Sequence, residues 1–226
     1  MIQDEIALSL ETESIEKTLS IIELIKSGGL AGQLIIALLT GLLVVALYIY
    51  FERLFTIKAA SKVDPNFMNQ IKDHVVNGKI EAAKALCTNV NSPVSRLIHK
   101  GISRIGRPLA DINSAIENAG KLEVYSLEKN VSILATISGA APMIGFLGTV
   151  IGMILSIFEI ANSGGQIDIK LLADGLYTAM TTTVAGLVVG IISYISYNHI
   201  VGRTNKVVYQ MEANSVEFLD LLNEPI

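Results

Sequence analysis

Several residue types are scarce in this chain of 226 residues. It contains no tryptophan, and charged residues make up only 17% of it. Cys87 is the only cysteine, which excludes an intrachain disulfide and a cysteine metal cluster. We expect it to pack as a small apolar residue in a soluble helix. The three histidines, His74, His99 and His199, are scattered without the spacing of metal ligands.

Sequence motifs of catalysis and of nucleic-acid binding are missing as well. No nucleophile motif, phosphate-binding loop or cofactor fingerprint occurs. No basic patch is interleaved with aromatic residues, so nothing indicates a nucleic-acid partner. We therefore expect neither an enzyme nor a bound cofactor or metal. The acidic start, Met1–Glu5, does not resemble a signal peptide.

Apolar residues make up 51% of the chain and concentrate in three long runs. Runs of about 20 or more apolar residues are long enough to cross a bilayer as helices. We predict an all-α polytopic membrane protein with three transmembrane helices, whose long helices extend into a cytoplasmic helical bundle. The predicted segments are an N-terminal amphipathic periplasmic helix (1–29), a first span (30–51), a cytoplasmic helical region (52–130), a second span (131–160), a periplasmic turn (161–170), a third span (171–200) and a cytoplasmic C-terminal helix (201–226).

The N-terminal segment has two interpretations, and the region after the first span contains signals for helix starts and ends. The spacing of apolar residues in the N-terminal segment is irregular, so a partly frayed acidic arm is the alternative to a helix. In the polar region, Asp64-Pro65 and Ser92-Pro93 predict helix starts, and Asn77-Gly78 predicts a helix end. The helical pattern after Pro108 continues towards the second span. Pro142 is a candidate kink within that span.

The distribution of basic residues predicts the orientation. Twelve of the 17 lysines and arginines lie in the segment 52–130, whereas the 161–170 turn holds only Lys170. Cytoplasmic loops carry an excess of basic residues. We therefore expect a periplasmic N-terminus and a cytoplasmic C-terminus.

Small and polar residues interrupt the second span in a regular pattern. Gly145, Thr149, Gly152, Ser156 and Glu159 fall on one helical face. A face that contacts only lipid has no need of such residues, whereas a face packed on another helix or on a narrow aqueous path does.

The third span carries a matching stripe. Its members are Ala179, Thr183, Gly186, Gly190, Ser193 and Tyr197. Gly148 with Gly152, and Gly186 with Gly190, form two GxxxG pairs that allow close backbone approach. Helix packing alone is the alternative explanation for both stripes.

Charged groups are absent from the middle of each span. Glu159 and Asp174 lie near the ends and could flank the mouth of a path, or be ordinary interfacial charges. Threonine hydroxyls bind water or ions but do not hold and release protons at physiological pH. If protons cross here, a second subunit with an intramembrane Asp or Glu must carry them.

The segments Ala141–Gly152 and Thr181–Gly190, together with the three-span layout, resemble the ExbB/TolQ/MotA family of ion-channel subunits. The resemblance covers about residues 30–220 and looks closest to the ExbB branch, with TolQ second. It implies a bacterial inner-membrane homopentamer around a dimer of a single-span partner, ExbD-like or TolR-like. The partner's intramembrane Asp would carry protons, and their flow would energise TonB.

The resemblance also suggests roles for individual residues. Thr149 and Thr183 match the family's polar residues that face the central pore, and the predicted ion path further includes Thr182, Gly145, Gly152 and Ser156. Pro142, Gly148, Gly186 and Gly190 are predicted helix-packing residues. Thr178 stands where ExbB sequences often have glutamate, so any proton role of that glutamate does not transfer. A Tol-Pal role and a passive helical scaffold are the two alternatives.

Overall fold

The computed structural model describes residues 29–62, 64–162 and 169–223, and every regular element in these ranges is an α-helix. The all-α prediction is therefore confirmed for the described chain. The predicted N-terminal helix and most of the 161–170 turn lie outside the described residues. In chain order the helices are α1 (Gly29–Ala60), α2 (Phe67–Val76), α3 (Ile80–Val90), α4 (Pro93–Ile102), α5 (Leu109–Leu127), α6 (Val131–Asn162) and α7 (Ile169–Asn223).

Three helices are long and apolar enough to cross a membrane. The candidate spans are Ala31–Ala60 in α1, Val131–Asn162 in α6 and Gly175–Asn223 in α7. This confirms the three predicted transmembrane helices.

The first and third helices run beyond the predicted spans. α1 continues past Phe51 as far as Ala60, and α7 is unbroken to Asn223. The predicted C-terminal helix is therefore the last part of α7 and not a separate element. The reason is that no proline interrupts this stretch, and buried apolar positions recur at helical spacing through Ile200, Val207, Met211 and Phe218.

The second span is separated from the helix that precedes it. α5 ends at Leu127, and Asn130 adopts a positive φ of 62° just before α6 begins at Val131. The helical pattern that leads into the span is thus interrupted, at a residue type that tolerates the left-handed region. Pro142 lies inside α6, which remains helical on both sides of it.

The short helices begin and end largely where the sequence indicates. Ser92 caps α4, because its hydroxyl accepts from the Ser95 amide at 3.1 Å and the Ser95 hydroxyl accepts from the Ser92 amide at 2.8 Å. Gly78, with a φ of 69°, follows the end of α2 as predicted. The start of α2 differs from the prediction. Asp64 accepts a hydrogen bond from the Asn66 amide at 2.9 Å and forms a turn, so the helix begins only at Phe67.

The chain forms two compact units. The described part of the first unit comes from the ranges Met1–Leu42 and Ala140–Gly190, and the second comes from Leu43–Gly139 and Ile191–Ile226. The first unit therefore contains most of the predicted functional stripes. The second contains α2 to α5 and the charged half of α7.

An apolar core holds the second unit together. Phe67, Ile71, Ile98 and Phe218 are each at most 1% exposed. Gly101 lets this core close, because a Cβ at that position would lie 2.6 Å from the Phe218 ring. Complete burial of such side chains contributes about 1.5–3 kcal/mol each.

A buried arginine joins α1 to α5 in the second unit. Arg53 is only 6% exposed, and its Nη1 donates to the Ser126 carbonyl at 3.0 Å. Its Nε donates to Glu52 at 2.8 Å, so the buried charge is paired. The Ser126 carbonyl belongs to the last turn of α5, where backbone acceptors lack helical partners. Arg53 therefore caps α5 in addition to marking the end of an apolar run.

Candidate functional site

The two predicted stripes face each other in the first unit. The contacts run from Ala141 with Gly186 to Ser156 with Gly175. Since the partner's position on α7 falls as the position on α6 rises, the two helices are antiparallel. The small residues of each stripe therefore form the seam of a helical hairpin.

Two glycines bring the backbones of α6 and α7 into direct contact. A Cβ on Gly186 would lie 2.6 Å from the Ala141 carbonyl oxygen and 2.9 Å from the Gly145 Cα. A Cβ on Gly145 would lie 2.7 Å from the Thr182 carbonyl oxygen. These distances are below van der Waals contact, and the neighbouring atoms are backbone. Neither position can take a larger residue unless the helices separate.

The other glycines of the seam face side chains. A Cβ on Gly148 would overlap the Thr182 side chain, with 2.7 Å to its Cβ. A Cβ on Gly152 would lie 3.2 Å from the Ala179 Cβ. Gly148 is therefore required more strictly than Gly152, whose neighbour need give way by only a few tenths of an ångström.

A cluster of hydroxyls surrounds one backbone carbonyl at the centre of the seam. Thr183 Oγ1 lies 3.1 Å from the Gly145 carbonyl oxygen and donates to it. The hydroxyls of Thr149 and Thr183 are 2.7 Å apart. Thr149 Oγ1 lies 3.5 Å from the same carbonyl oxygen, so either hydroxyl can be the donor in the contact between the two threonines. We call these two hydroxyls and the carbonyl that they share the Thr149–Thr183 relay.

The three threonines of this cluster differ in exposure. Thr149 and Thr183 are half-buried. Thr182 is 0% exposed, and its hydroxyl lies 2.8 Å from the Ala179 carbonyl and 3.3 Å from the Gly145 carbonyl. The Thr149–Thr183 pair is thus the part of the cluster that solvent or a partner can reach.

The structure adds contacts that the sequence pattern did not predict. Ser156 is buried, donates to the Gly152 carbonyl at 2.9 Å, and its side chain fills the space over Gly175. On another helix, a Cβ on Gly32 would lie 2.8 Å from a Thr178 methyl group, so α1 packs closely on α7. Each glycine is visible in the sequence, but its partner on another helix is not.

The remaining predicted residues differ in exposure. Gly190 is buried, Pro142 is half-buried and Glu159 is exposed. The side chain of Asp174 lies outside the described residues. Among side chains that the structure describes in this unit, Glu159 is the only carboxylate. The seam can therefore bind water or an ion through hydroxyls, but its described groups cannot store a proton at neutral pH.

A family model described as the MotA/TolQ/ExbB proton channel family matches residues 89–213, more than half of the chain. The chain belongs to this family. The matched range contains α6 and both members of the Thr149–Thr183 pair. The MotA/TolQ/ExbB assignment confirms the resemblance drawn from the two span motifs.

Relatives from more than one branch of the family are similar to the chain. A biopolymer transport protein ExbB homologue of Methanothermobacter thermautotrophicus is 27% identical over 194 residues, which cover 85% of this chain and 67% of that protein. The ExbB of Aquifex aeolicus is 38% identical over 87 residues, 38% of this chain and 58% of the relative. The Tol-Pal system protein TolQ of Pseudomonas aeruginosa is 23% identical over 90% of this chain and 92% of its own length.

The fold is also that of a solved structure in the family. The structure of C. jejuni MotAB matches with a TM-score of 0.58 and 14% identity, covering 96% of this chain and 85% of the matched chain. At this identity the likeness establishes the fold. Among the sequence relatives, the chain spans little more than half the length of the Aquifex aeolicus ExbB.

Proposed function

We propose that this protein is an inner-membrane proton-channel and motor subunit that works with an ExbD-like single-span partner. In this proposal the complex uses the proton motive force to energise TonB-dependent outer-membrane transport. Five copies of the chain surround a partner dimer in the bacterial inner membrane, with the N-terminus periplasmic and the C-terminus cytoplasmic. Membership of the proton channel family and the similarity to ExbB proteins support this function.

The observation that carries the proposal is the Thr149–Thr183 relay, together with the lack of a buried carboxylate among the described side chains of the first unit. The two hydroxyls are 2.7 Å apart and half-buried, so a partner or a water chain can reach them. Glu159, the one described carboxylate of the unit, is exposed near the end of α6. A pair of hydroxyls orients water or an ion through hydrogen bonds but does not hold a proton at neutral pH. The carboxylate that carries protons therefore belongs to the partner in our proposal.

The other predicted path residues play supporting parts in this proposal. Gly145 supplies the carbonyl that orients the relay, and Gly152, Ser156 and Thr182 border the path. Their contacts also support a packing contribution, since Ser156 and Thr182 are buried and donate to backbone carbonyls. Thr178 packs on α1 at Gly32, which favours a mechanism in which the partner and water carry the coupling without a glutamate there.

The test is ion flux in proteoliposomes that contain the chain with its partner. Thr149→Val and Thr183→Val remove the hydroxyls at nearly constant volume, and we expect both to depress proton flux measured with an entrapped pH dye. Thr40→Val is the matched control, because Thr40 lies in the same unit and its hydroxyl donates to the Ile36 carbonyl at 2.8 Å. Wild-type flux in both relay variants would remove these residues from the ion path.

Assembly is tested separately by native mass spectrometry of the chain co-expressed with its single-span partner. Five copies with two partners would support the ring and its enclosed dimer. A ring without a partner would leave no proton carrier and would favour a passive helical scaffold. Neutralising the partner's intramembrane Asp further distinguishes a proton-driven complex from a passive scaffold, since the function of a scaffold would not depend on that carboxylate.

A TolQ-like role in the Tol-Pal envelope system is the second candidate. The TolQ of Pseudomonas aeruginosa is similar over nearly the full length of both chains, which favours this alternative. Co-expression with an ExbD-like and a TolR-like partner in competition separates the two. Preferential capture of the TolR-like protein would overturn the TonB assignment and leave the channel proposal intact.

A further inference from the structure

The last two turns of α5 expose two large apolar side chains in the second unit. Leu122 is 72% exposed and Tyr125 is 77% exposed. They stand three residues apart, so they share one face of the helix. Isolated exposed apolar side chains are common on protein surfaces, whereas neighbouring ones that form a patch indicate a contact surface. The pair lies outside the predicted spans, so its partner has to be found from its surroundings.

Arg53 fixes the level of this pair relative to the spans. Its Nη1 donates to the Ser126 carbonyl at 3.0 Å, and Ser126 directly follows Tyr125 in the chain. Around Arg53, α1 carries three exposed aromatic side chains that recur on one helical face. They are Tyr48, Phe51 and Phe55. Belts of aromatic residues form where a span meets the lipid headgroups. The end of α5 is therefore held at the level of such a belt.

The second span begins close to the pair as well. α5 ends at Leu127, Asn130 breaks the helix with its positive φ, and α6 begins at Val131. α6 has 32 residues and is therefore about 48 Å long. The hydrocarbon core and both headgroup layers together are about 40–45 Å thick, so the ends of α6 reach the headgroups. Tyr125 precedes one of these ends by six residues.

The charges at this end of α5 favour an apolar contact over an ionic one. The exposed charged residues are Lys121, Glu128 and Lys129, which leave a net charge of one positive. The carboxylate of Glu123 is bound to Arg96, whose Nε and Nη2 each donate to it at 2.6 Å. A lysine lays its methylene groups along an apolar surface while its ammonium stays among polar groups. This surface therefore suits a zwitterionic lipid and does not require an anionic one.

We propose that the C-terminal end of α5 is a lipid contact, in which Leu122 and Tyr125 insert into the headgroup boundary of the bilayer that holds the spans. The occupant is the lipid itself, because the neighbouring elements, α1 at Arg53 and α6 at Val131, both lie at that boundary. A tyrosine suits this place, since its ring is apolar and its hydroxyl remains among polar groups. The inference depends on the three candidate spans and not on the proposed function.

The helix touches the lipid with its end and not along its length. Further back on the face of Leu122, the exposed residues are Ser114 and Asn118, which are polar. A helix that lies flat in the interface presents apolar residues along one whole face. In α5 only the last two turns do so, and the contact therefore holds the short helices of the second unit to the membrane surface at one point.

The absence of tryptophan from the chain provides the measurement. Tyr125→Trp introduces a single tryptophan, whose fluorescence reports on its surroundings. The full-length variant is placed in nanodiscs of phosphatidylcholine, either ordinary or brominated near the headgroup end of the acyl chains. Tyr209→Trp is the matched control, because Tyr209 is 72% exposed and lies about 13 Å along α7 beyond Ile200, the predicted end of the third span.

The two quenchers separate the possible surroundings of the introduced tryptophan. We expect the emission of Tyr125→Trp to be blue-shifted, quenched by the brominated lipid and protected from iodide in the water. Tyr209→Trp should show the opposite. Quenching of Tyr125→Trp by iodide and not by the lipid would place this face in water and overturn the proposal. Protection from both quenchers would mean that protein covers the face, a second copy or a partner, and would overturn it equally.

A second pair of variants tests the contribution of Leu122. In the Tyr125→Trp background, Leu122→Glu places a carboxylate at the lipid boundary, and we expect quenching by the brominated lipid to fall towards the level of Tyr209→Trp. Asn118→Glu makes the same change one turn earlier on the same face and should leave the quenching unchanged. Both substituted side chains are exposed, so size-exclusion profiles like that of the wild type are expected. Equal quenching in both variants would refute the part of the contact assigned to Leu122.

Discussion

The close approach of α6 and α7 makes a quantitative prediction about Gly186. Gly186→Ala adds one methyl group 2.6 Å from the Ala141 carbonyl oxygen and 2.9 Å from the Gly145 Cα. The obstacle is backbone on the facing helix, so no side-chain rotation relieves it. The helices must move apart, which also stretches the contacts of Thr183 with the Gly145 carbonyl.

The expected size of the effect follows from two opposing contributions. Overpacking of a well-packed interface costs about 1–3 kcal/mol. Replacing glycine by alanine inside a helix gains up to about 1 kcal/mol, because alanine has the higher helix propensity. Gly41→Ala on α1 is the matched control, since a Cβ there has no neighbour within 4 Å. The control receives only the gain, so the gap between the two variants isolates the overpacking cost of about 1–3 kcal/mol.

The assay is the fraction of protein that remains monodisperse by size-exclusion chromatography after heating in detergent. We expect Gly41→Ala to match or exceed the wild type and Gly186→Ala to lose its folded form at a lower temperature. Helical circular dichroism is a poor substitute, because single spans stay helical after they separate. If both variants resist heating equally, the backbone contact at Gly186 is absent and the argument for the seam fails.

Three further predictions concern the second unit. Gly101→Ala should lower thermal stability by about 1–3 kcal/mol, because the added Cβ would lie 2.6 Å from the Phe218 ring. The same size-exclusion assay measures this loss. Gly120→Ala is the control and should have little effect, since the nearest atom to a Cβ there is 3.7 Å away. Ser92→Ala removes a capping box and should cost about 0.5–2 kcal/mol, a loss that urea unfolding of the purified protein would reveal, whereas Ser92→Thr should retain most of the stability. Burial raises the pKa of the Cys87 thiol to about 11, so the reactive thiolate near neutral pH is about 300-fold scarcer than for an exposed cysteine of pKa about 8.5. Iodoacetamide should therefore label the folded protein slowly and faster as the pH rises towards 11, and rapid labelling at neutral pH would contradict the burial.

The sequence alone was sufficient for the features that depend on one segment at a time. Three apolar runs long enough for a bilayer predicted the three candidate spans, because length and hydropathy are properties of the run itself. Ser92-Pro93 predicted the start of α4, since a cap is completed by residues within one turn. The period of the two stripes predicted which faces of α6 and α7 carry small residues.

Contacts between distant segments required the tertiary structure. A stripe indicates that a face is covered but not by what, and only the fold shows that Gly145 meets Gly186 and that Thr149 meets Thr183. Arg53 follows the predicted first span in the sequence with no sign of a partner on another helix, yet it is buried against the last turn of α5.

The contact between His199 and Tyr50 shows the same division for a single pair of residues. The sequence gives no sign of this contact, because the two residues are 149 positions apart and the Tyr50 hydroxyl comes within 2.8 Å of His199 Nδ1 only when α1 and α7 pack. Helical periodicity is a local property that can be recognised within a single segment of the sequence. The pairing of faces depends on how whole helices pack, and only the tertiary structure decides it.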